Sequence, residues 1–206
     1  MSTPADGRIG AAPDAPPPRA VASNWNVANL LTMIRIALVP FFVAVFMHDG
    51  GHDSRWRLAA AAVFFVAGAT DRLDGELARR RHLITDFGKI ADPIADKALI
   101  GAALICLSLQ HRLWWWVTIV ILVREIGITL MRFWVIKYGV IAASPGGKTK
   151  TALQSLAVFL FVLPLQSLAW LDWTATVVMA AALGLTVGTG VDYVVRAVRL
   201  RAGAGR

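Results

Sequence analysis

The chain is poor in cysteine, with Cys106 the only one among 206 residues. A single thiol excludes an intramolecular disulfide and a cysteine zinc cluster, and its place inside an apolar block assigns it to packing. Acid is scarce too: 13 Asp and Glu stand against 21 Lys and Arg, a formal net charge of +8. Residues 1–23 contain no apolar h-region and are rich in Pro, Ala and Gly, so they read as a flexible cytoplasmic tail rather than a signal peptide. Also missing is the even spread of apolar residues that a soluble fold shows. Although 57% of the chain is apolar, those residues gather in blocks at 30–46, 58–69, 94–109, 113–135, 153–165 and 173–191. Their lengths approach or reach the roughly 20 residues that cross a bilayer. The expectation is an all-α integral membrane protein with six transmembrane helices and a short juxtamembrane segment before the first. The tail of 1–23 then precedes a six-helix domain over 24–199 and a basic tail over 200–206. The block from Leu58 is too short alone, so its helix is expected to run on to about Arg79.

The basic residues set the orientation. With both termini cytoplasmic, the three outer connections carry only Arg55, Arg57 and Arg112 of the 21 Lys and Arg. Arg72, Arg79, Arg80, Arg81, Lys89, Lys137, Lys148, Lys150, Arg196, Arg199, Arg201 and Arg206 fall on inner segments, which satisfies the positive-inside rule. The net charge is thus a property of the cytoplasmic face of a cell membrane protein. Topology accounts for it better than lipid recognition does, and a membrane-embedded chain has no use for it in binding nucleic acid.

One stretch stands apart, D-R-L-D-G-E-L-A-R-R-R-H-L-I-T-D-F-G-K-I-A-D-P-I-A-D from Asp71 to Asp96. On a helix, Asp71, Asp74, Gly75 and Ala78 share a face, since offsets of three, four and seven return to one side every 3.6 residues. Asp92 and Asp96 stack at i,i+4, and Gly88 and Thr85 continue that face if the helix reaches back so far. Pro93 fits the first turn of this next helix, with Asp92 as its cap. Four like charges in a partly dehydrated place repel unless cations sit among them. Hard oxygen donors at this density point to two Mg²⁺ or Mn²⁺ ions.

Other polar residues interrupt the apolar blocks. Asn29, Thr32 and Arg35 form a stripe at the start of the first block, read equally as a cap with a snorkelling arginine or as a ligand contact. His48-Asp49-Gly50-Gly51-His52-Asp53 is more simply an outer turn than a metal cluster. Arg124, Glu125 and Arg132 lie deep in the fourth block, where charge must face protein or a wet cavity. Arg124 and Glu125 are adjacent and are not expected to face each other, whereas Glu125 and Arg132 share a face. A buried ion pair and a substrate role are equally open there. Gly146-Gly147-Lys148-Thr149-Lys150-Thr151 looks like part of a phosphate loop, but Ala142 stands where the first glycine should be. It reads instead as a basic turn before the fifth helix, suited to an anion. Gly184 and Gly188 give a G-x-x-x-G spacing for close packing within the subunit or across a dimer.

Carboxylates for metal on one side and cations on the other suit transfer of a phosphate-containing group at the membrane surface. An ion or proton transporter is the rival class, but the acids cluster at one face rather than at the midplane.

Asp71-x2-Asp74-Gly75-x2-Ala78-Arg79-x8-Gly88-x3-Asp92-x3-Asp96 resembles the complete signature of the CDP-alcohol phosphatidyltransferases, with every spacing kept. The resemblance implies a six-helix membrane fold, a homodimer and an active site open to the cytoplasm. It also implies attack of an acceptor alcohol on the β-phosphorus of a CDP-linked lipid, with release of CMP. It assigns Asp71, Asp74 and Asp92 to metal, with Asp96 a further ligand and the general base. Gly75, Ala78, Arg79 and Thr85 would hold the CDP portion, and Asn29, Leu30, Leu31 and Thr32 match the stretch beneath the cytidine. Asp86 departs from the pattern, since relatives commonly carry a basic residue before Phe-Gly.

Further stretches, Asn29 to Phe42, Asp92 to Lys97, Arg124 to Arg132 and Gly147 to Thr151, look like the bacterial phosphatidylglycerophosphate synthases within that family. Their substrates are CDP-diacylglycerol and sn-glycerol 3-phosphate. From charge and placement, Arg124, Arg132, Lys148 and Lys150 are the candidates for the acceptor phosphate. Inositol phosphate is the second acceptor to consider and phosphatidylglycerol the third.

Overall fold

An apolar layer leaves backbone N–H and C=O groups no partner but each other, so long apolar blocks become helices there. The computed structural model describes residues 27–81, 86–135, 145–164 and 168–204. Its order is α1 (Val27–Met47), a short 3-10 turn (His48–Gly51), α2 (Ser54–Arg81), α3 (Asp86–Leu109), α4 (Trp115–Val135), α5 (Pro145–Val162) and α6 (Ala169–Ala204). No strand occurs among the described residues. Two stretches there, Leu30–Gly51 and Ala169–Arg201, are long and apolar enough to cross a membrane. The tail of 1–23 lies outside the described residues.

Two helix starts differ from expectation. α3 begins at Asp86, so Pro93 lies inside it rather than in its first turn, and Asp92 is not its cap. The missing N–H of Pro93 costs one bond to the carbonyl of Lys89, a loss that a continuous helix can carry, as α1 does at Pro40. α5 begins at Pro145, which makes Gly146 to Lys150 its first turns rather than a loop. Proline at the first helical position has its φ already set and no N–H to waste, and it outweighs the two glycines that follow.

α1 packs against α2 and α3, α5 against α6, and α4 against α3 and α6, while α2 also touches α5. The core between them is built of rings and small residues. Phe42 stacks on Phe46 with centroids 5.7 Å apart and meets Phe64 at 5.9 Å. Ala60, Ala61, Ala67, Ala103 and Ala157 let backbones approach around Leu104, Leu107, Ile121, Val158 and Val162. Ser108 and Thr118, both fully buried, share a 2.8 Å hydroxyl bond that ties α3 to α4. A Cβ at Gly184 or Gly188 would meet nothing within 4 Å, so among the described residues the G-x-x-x-G face makes no close packing inside the subunit.

One end of the bundle is well defined. Asp49, Gly50 and Gly51 turn the chain with φ of 52°, 61° and 73°. Gly51, at φ 73°, holds a backbone conformation that favours glycine, and a Cβ there would also displace the Gln110 amide, whose Nε2 would lie 2.3 Å away. Gln110, after α3, donates to Sδ of Met47 at the end of α1. Arg57, near the start of α2, reaches the last carbonyls of α5. Arg112 and Asp172 line a cavity of about 360 Å³ at this end with His111, Phe161 and Leu171. Burial holds the Arg112 guanidinium below its ordinary pKa, and Asp172 pulls it the other way. Trp56, Trp114, Trp115, Trp116, Trp170 and Trp173 stand exposed at the same helix ends. Such a girdle of indoles is how a membrane protein meets the headgroup layer.

Candidate functional site

The acidic stretch lies at the opposite ends of α2 and α3. α2 runs unbroken from Ser54 through Arg81, which puts Asp71 about 25 Å along it from Ser54. Its continuity places Asp71, Asp74, Gly75 and Ala78 on one stripe. The early start of α3 brings Gly88, Asp92 and Asp96 onto a common stripe as well. The side chains of Asp71, Asp74, Gly75, Ala78, Arg79, Asp92 and Asp96 lie outside those described, as do those of Asn29, Arg132 and Lys148. Thr85 lies outside the described residues altogether. Among the described residues no three His, Cys, Asp or Glu side chains converge. Four carboxylates on two continuous helices that touch are a donor set of the kind hard divalent cations take.

Beside this end, α3, α4, α5 and α6 meet in a polar network. Glu125 on α4 is its centre. Its Oε1 accepts from Nη1 of Arg124 at 3.0 Å and from Nζ of Lys150, which is 3% exposed. Adjacent residues do not normally face each other on a helix, but the length of the Arg124 side chain lets it fold along the axis and meet Glu125. The rest of that guanidinium is also engaged. Nε donates to the carbonyl of Thr186 at 3.1 Å and Nη2 to Oγ1 of Thr189 at 2.8 Å, both on α6. Gly190 makes room for it, because a Cβ there would lie 3.2 Å from Cγ of Arg124. On the other side Lys97, the residue after Asp96, bonds to Oγ1 of Thr129, which itself donates to the backbone carbonyl of Glu125 at 2.7 Å. So Arg124 and Lys150 come together around one carboxylate.

Two buried polar atoms adjoin the network without a hydrogen-bond partner among the described residues. They are Oγ1 of Thr186 and Oε1 of Gln154, one turn beyond Lys150. On α1, Thr32 and Arg35 are buried at 2% and 1% exposure, so Arg35 does not snorkel to water. Leu30 is exposed and Leu31 half-buried.

Lys97, Thr129, Thr189 and Gly190 were not singled out by sequence pattern. Lys97 carried a signal, a charge at the start of an apolar block directly after a carboxylate. Gly190 carries none, because the side chain that needs its space, Arg124, comes from another helix.

The comparisons agree with the motif. Residues 25–188 match the family model described as CDP-alcohol phosphatidyltransferase. A protein of Mycobacterium tuberculosis (strain H37Rv) named "Probable phosphatidylglycerophosphate synthase" is 55% identical over 174 residues, 84% of this chain and 82% of that protein. The Escherichia coli (strain K12) protein named "CDP-diacylglycerol--glycerol-3-phosphate 3-phosphatidyltransferase" is 40% identical over 157 residues, 73% of this chain and 78% of that protein. Matched along most of its length, and carrying the whole acidic signature on two continuous helices, the chain belongs to the CDP-alcohol phosphatidyltransferase family of membrane enzymes.

Proposed function

We propose that the protein transfers the phosphatidyl group of CDP-diacylglycerol to sn-glycerol 3-phosphate, giving phosphatidylglycerophosphate and CMP in phospholipid biosynthesis. The observation that carries the acceptor reading is the chain of contacts from Lys97 through Thr129 and Glu125 to Lys150. It joins the turn of α3 bearing Asp96 to the cations of α4 and α5, next to which an acceptor phosphate would sit. The names of the relatives point to the same acceptor.

In this reading Asp71, Asp74, Asp92 and Asp96 hold two Mg²⁺ or Mn²⁺ ions, which supply charge neutralisation and polarisation at the diphosphate. Gly75, Ala78, Arg79, Thr85 and the stretch from Asn29 to Thr32 hold the CDP portion. Arg124, Arg132, Lys148 and Lys150 hold the acceptor phosphate. The Asp96 carboxylate takes the proton of the acceptor hydroxyl as its oxygen bonds to the β-phosphorus. The phosphoanhydride bond breaks and CMP leaves with its electron pair. Gln154 and Thr186 offer buried polar atoms that suit a polyol.

The six helices each span the cell membrane in this reading, over 24–199, with both termini and the acidic end in the cytoplasm. The basic residues at this end support that orientation, and the exposed tryptophans at the other end mark a membrane interface there. The open Gly184 and Gly188 face suits a homodimer.

The test is CMP release by purified protein with CDP-diacylglycerol and Mg²⁺ or Mn²⁺, comparing glycerol 3-phosphate, inositol 1-phosphate, phosphatidylglycerol and no acceptor. Release that depends on glycerol 3-phosphate is expected. Release with inositol phosphate or phosphatidylglycerol alone would keep the reaction class and overturn the acceptor.

A further inference from the structure

We infer that Glu125 is a positioning residue for the acceptor phosphate: its carboxylate holds Lys150 and Arg124 in place, so that the two cations stand ready for a phosphate monoester. This deepens the acceptor reading above and rests on it.

The geometry is specific. One oxygen, Oε1, serves both cations, which come from different helices. Lys150 has 4% of its side chain exposed, too little for water to hold its ammonium in one place. Arg124 is fixed at three points, and two of these, on Thr186 and Thr189, orient it without neutralising it. Lys97, bonded to Thr129, borders the same turn of α4 from α3.

Without the carboxylate, three cations would repel one another in a partly dehydrated place. Lys150 would lose its countercharge and its fixed direction. A bound phosphate would then have to gather the cations itself, and its affinity would fall by the cost of ordering them. Thr129, which donates to the carbonyl of Glu125, steadies the same turn of α4 and links it to Lys97.

The test uses full-length protein in detergent with the phosphate-monoester acceptor that the wild type turns over. Glu125→Gln is expected to raise KM for that acceptor at least tenfold, to change KM for CDP-diacylglycerol less than twofold, and to weaken competitive inhibition by inorganic phosphate in parallel. Glu125→Asp, which keeps the charge on a shorter arm, is expected to recover at least a third of the lost acceptor affinity. Melting temperature is followed for both variants. An unchanged or lower acceptor KM in Glu125→Gln would overturn the proposal, as would an equal rise for both substrates or an Asp variant no better than Gln. Should Gln not fold, Thr129→Val serves in its place. It is expected to raise acceptor KM about threefold, and no change would count against the proposal. If the wild type prefers inositol phosphate, the acceptor identity above fails while the Glu125 test stands with that acceptor.

Discussion

Arg57 closes the far end of α5 through Leu163: its Nη2 donates to that carbonyl at 2.7 Å, and to those of Phe161 and Val162 at 2.9 and 3.0 Å. The last carbonyls of a helix have no partner within it, and this side chain, 1% exposed, supplies one from another helix. Arg57→Met is expected to leave all three without that donor and to cost about 1.5–3 kcal/mol, the range for a hydrogen bond to a charged group. Thermal unfolding in detergent should show it as a lower midpoint. The KM values, set about 25 Å away at the other end of α2, should stay within twofold. A midpoint equal to wild type would remove Arg57 from the stability of the fold.

Ser108 and Thr118 test the α3–α4 seam in the same way. Thr118→Val takes from the Ser108 hydroxyl its partner across the seam and should cost about 1–3 kcal/mol, whereas Ser108→Ala leaves the Thr118 hydroxyl donating to the Leu104 carbonyl at 3.3 Å and should cost about 1 kcal/mol. The double variant removes both polar groups and should cost less than the two singles together, by about 0.5–1 kcal/mol. Strict additivity of the unfolding free energies would mean that the 2.8 Å bond contributes nothing as a pair.

Asp96→Asn should abolish CMP release, by at least about 10³-fold, while the protein stays folded and still binds CDP-diacylglycerol. Chelation should silence the wild type in the same assay, and added Mg²⁺ or Mn²⁺ should restore it. Turnover retained in the Asn variant would take the base role from Asp96.

How far the sequence could be read depended on whether the cause was local. The passage of α2 through the acidic motif was legible, since the block at Leu58 is too short unless the helix continues, and it does so to Arg81. The start of α3 was not. Gly88 and Pro93 argue locally against a helix, yet the segment from Asp86 joins a helix whose later turns are packed on α1. Pro145 was the readable signal for α5, and the glycines beside it hid it. Around Glu125, helix periodicity names only residues of its own helix, such as Arg132, whose side chain lies outside those described. Lys150 comes from α5, 25 positions away, and only packing brings it there. Tertiary contacts of that kind leave no periodicity to read.

Lys148 and Lys150 sit two apart in the first turns of α5, positions that helix periodicity assigns to different faces. If both serve the acceptor, Lys148→Ala should raise acceptor KM several-fold and more than it raises KM for the CDP-lipid. An equal effect on both substrates would confine the acceptor phosphate to the Lys150 side.

Gly190 gives an independent handle on Arg124, because it alters the guanidinium without removing it. A Cβ there would lie 3.2 Å from Cγ and 3.4 Å from Nε of Arg124, so alanine asks the side chain to give by a few tenths of an ångström. Gly190→Ala should therefore be mild, since the helix propensity of alanine, higher by about 1 kcal/mol, offsets the crowding in stability. Gly190→Val adds branches that Arg124 cannot clear while Nε keeps the Thr186 carbonyl at 3.1 Å. The valine variant should raise acceptor KM about tenfold, with KM for CDP-diacylglycerol nearly unchanged. Steady-state kinetics in both substrates reads this directly. Equal rises for the two substrates would mean that Arg124 holds α6 against α4 and does no more, since loosening that seam would disturb the whole cavity rather than one subsite.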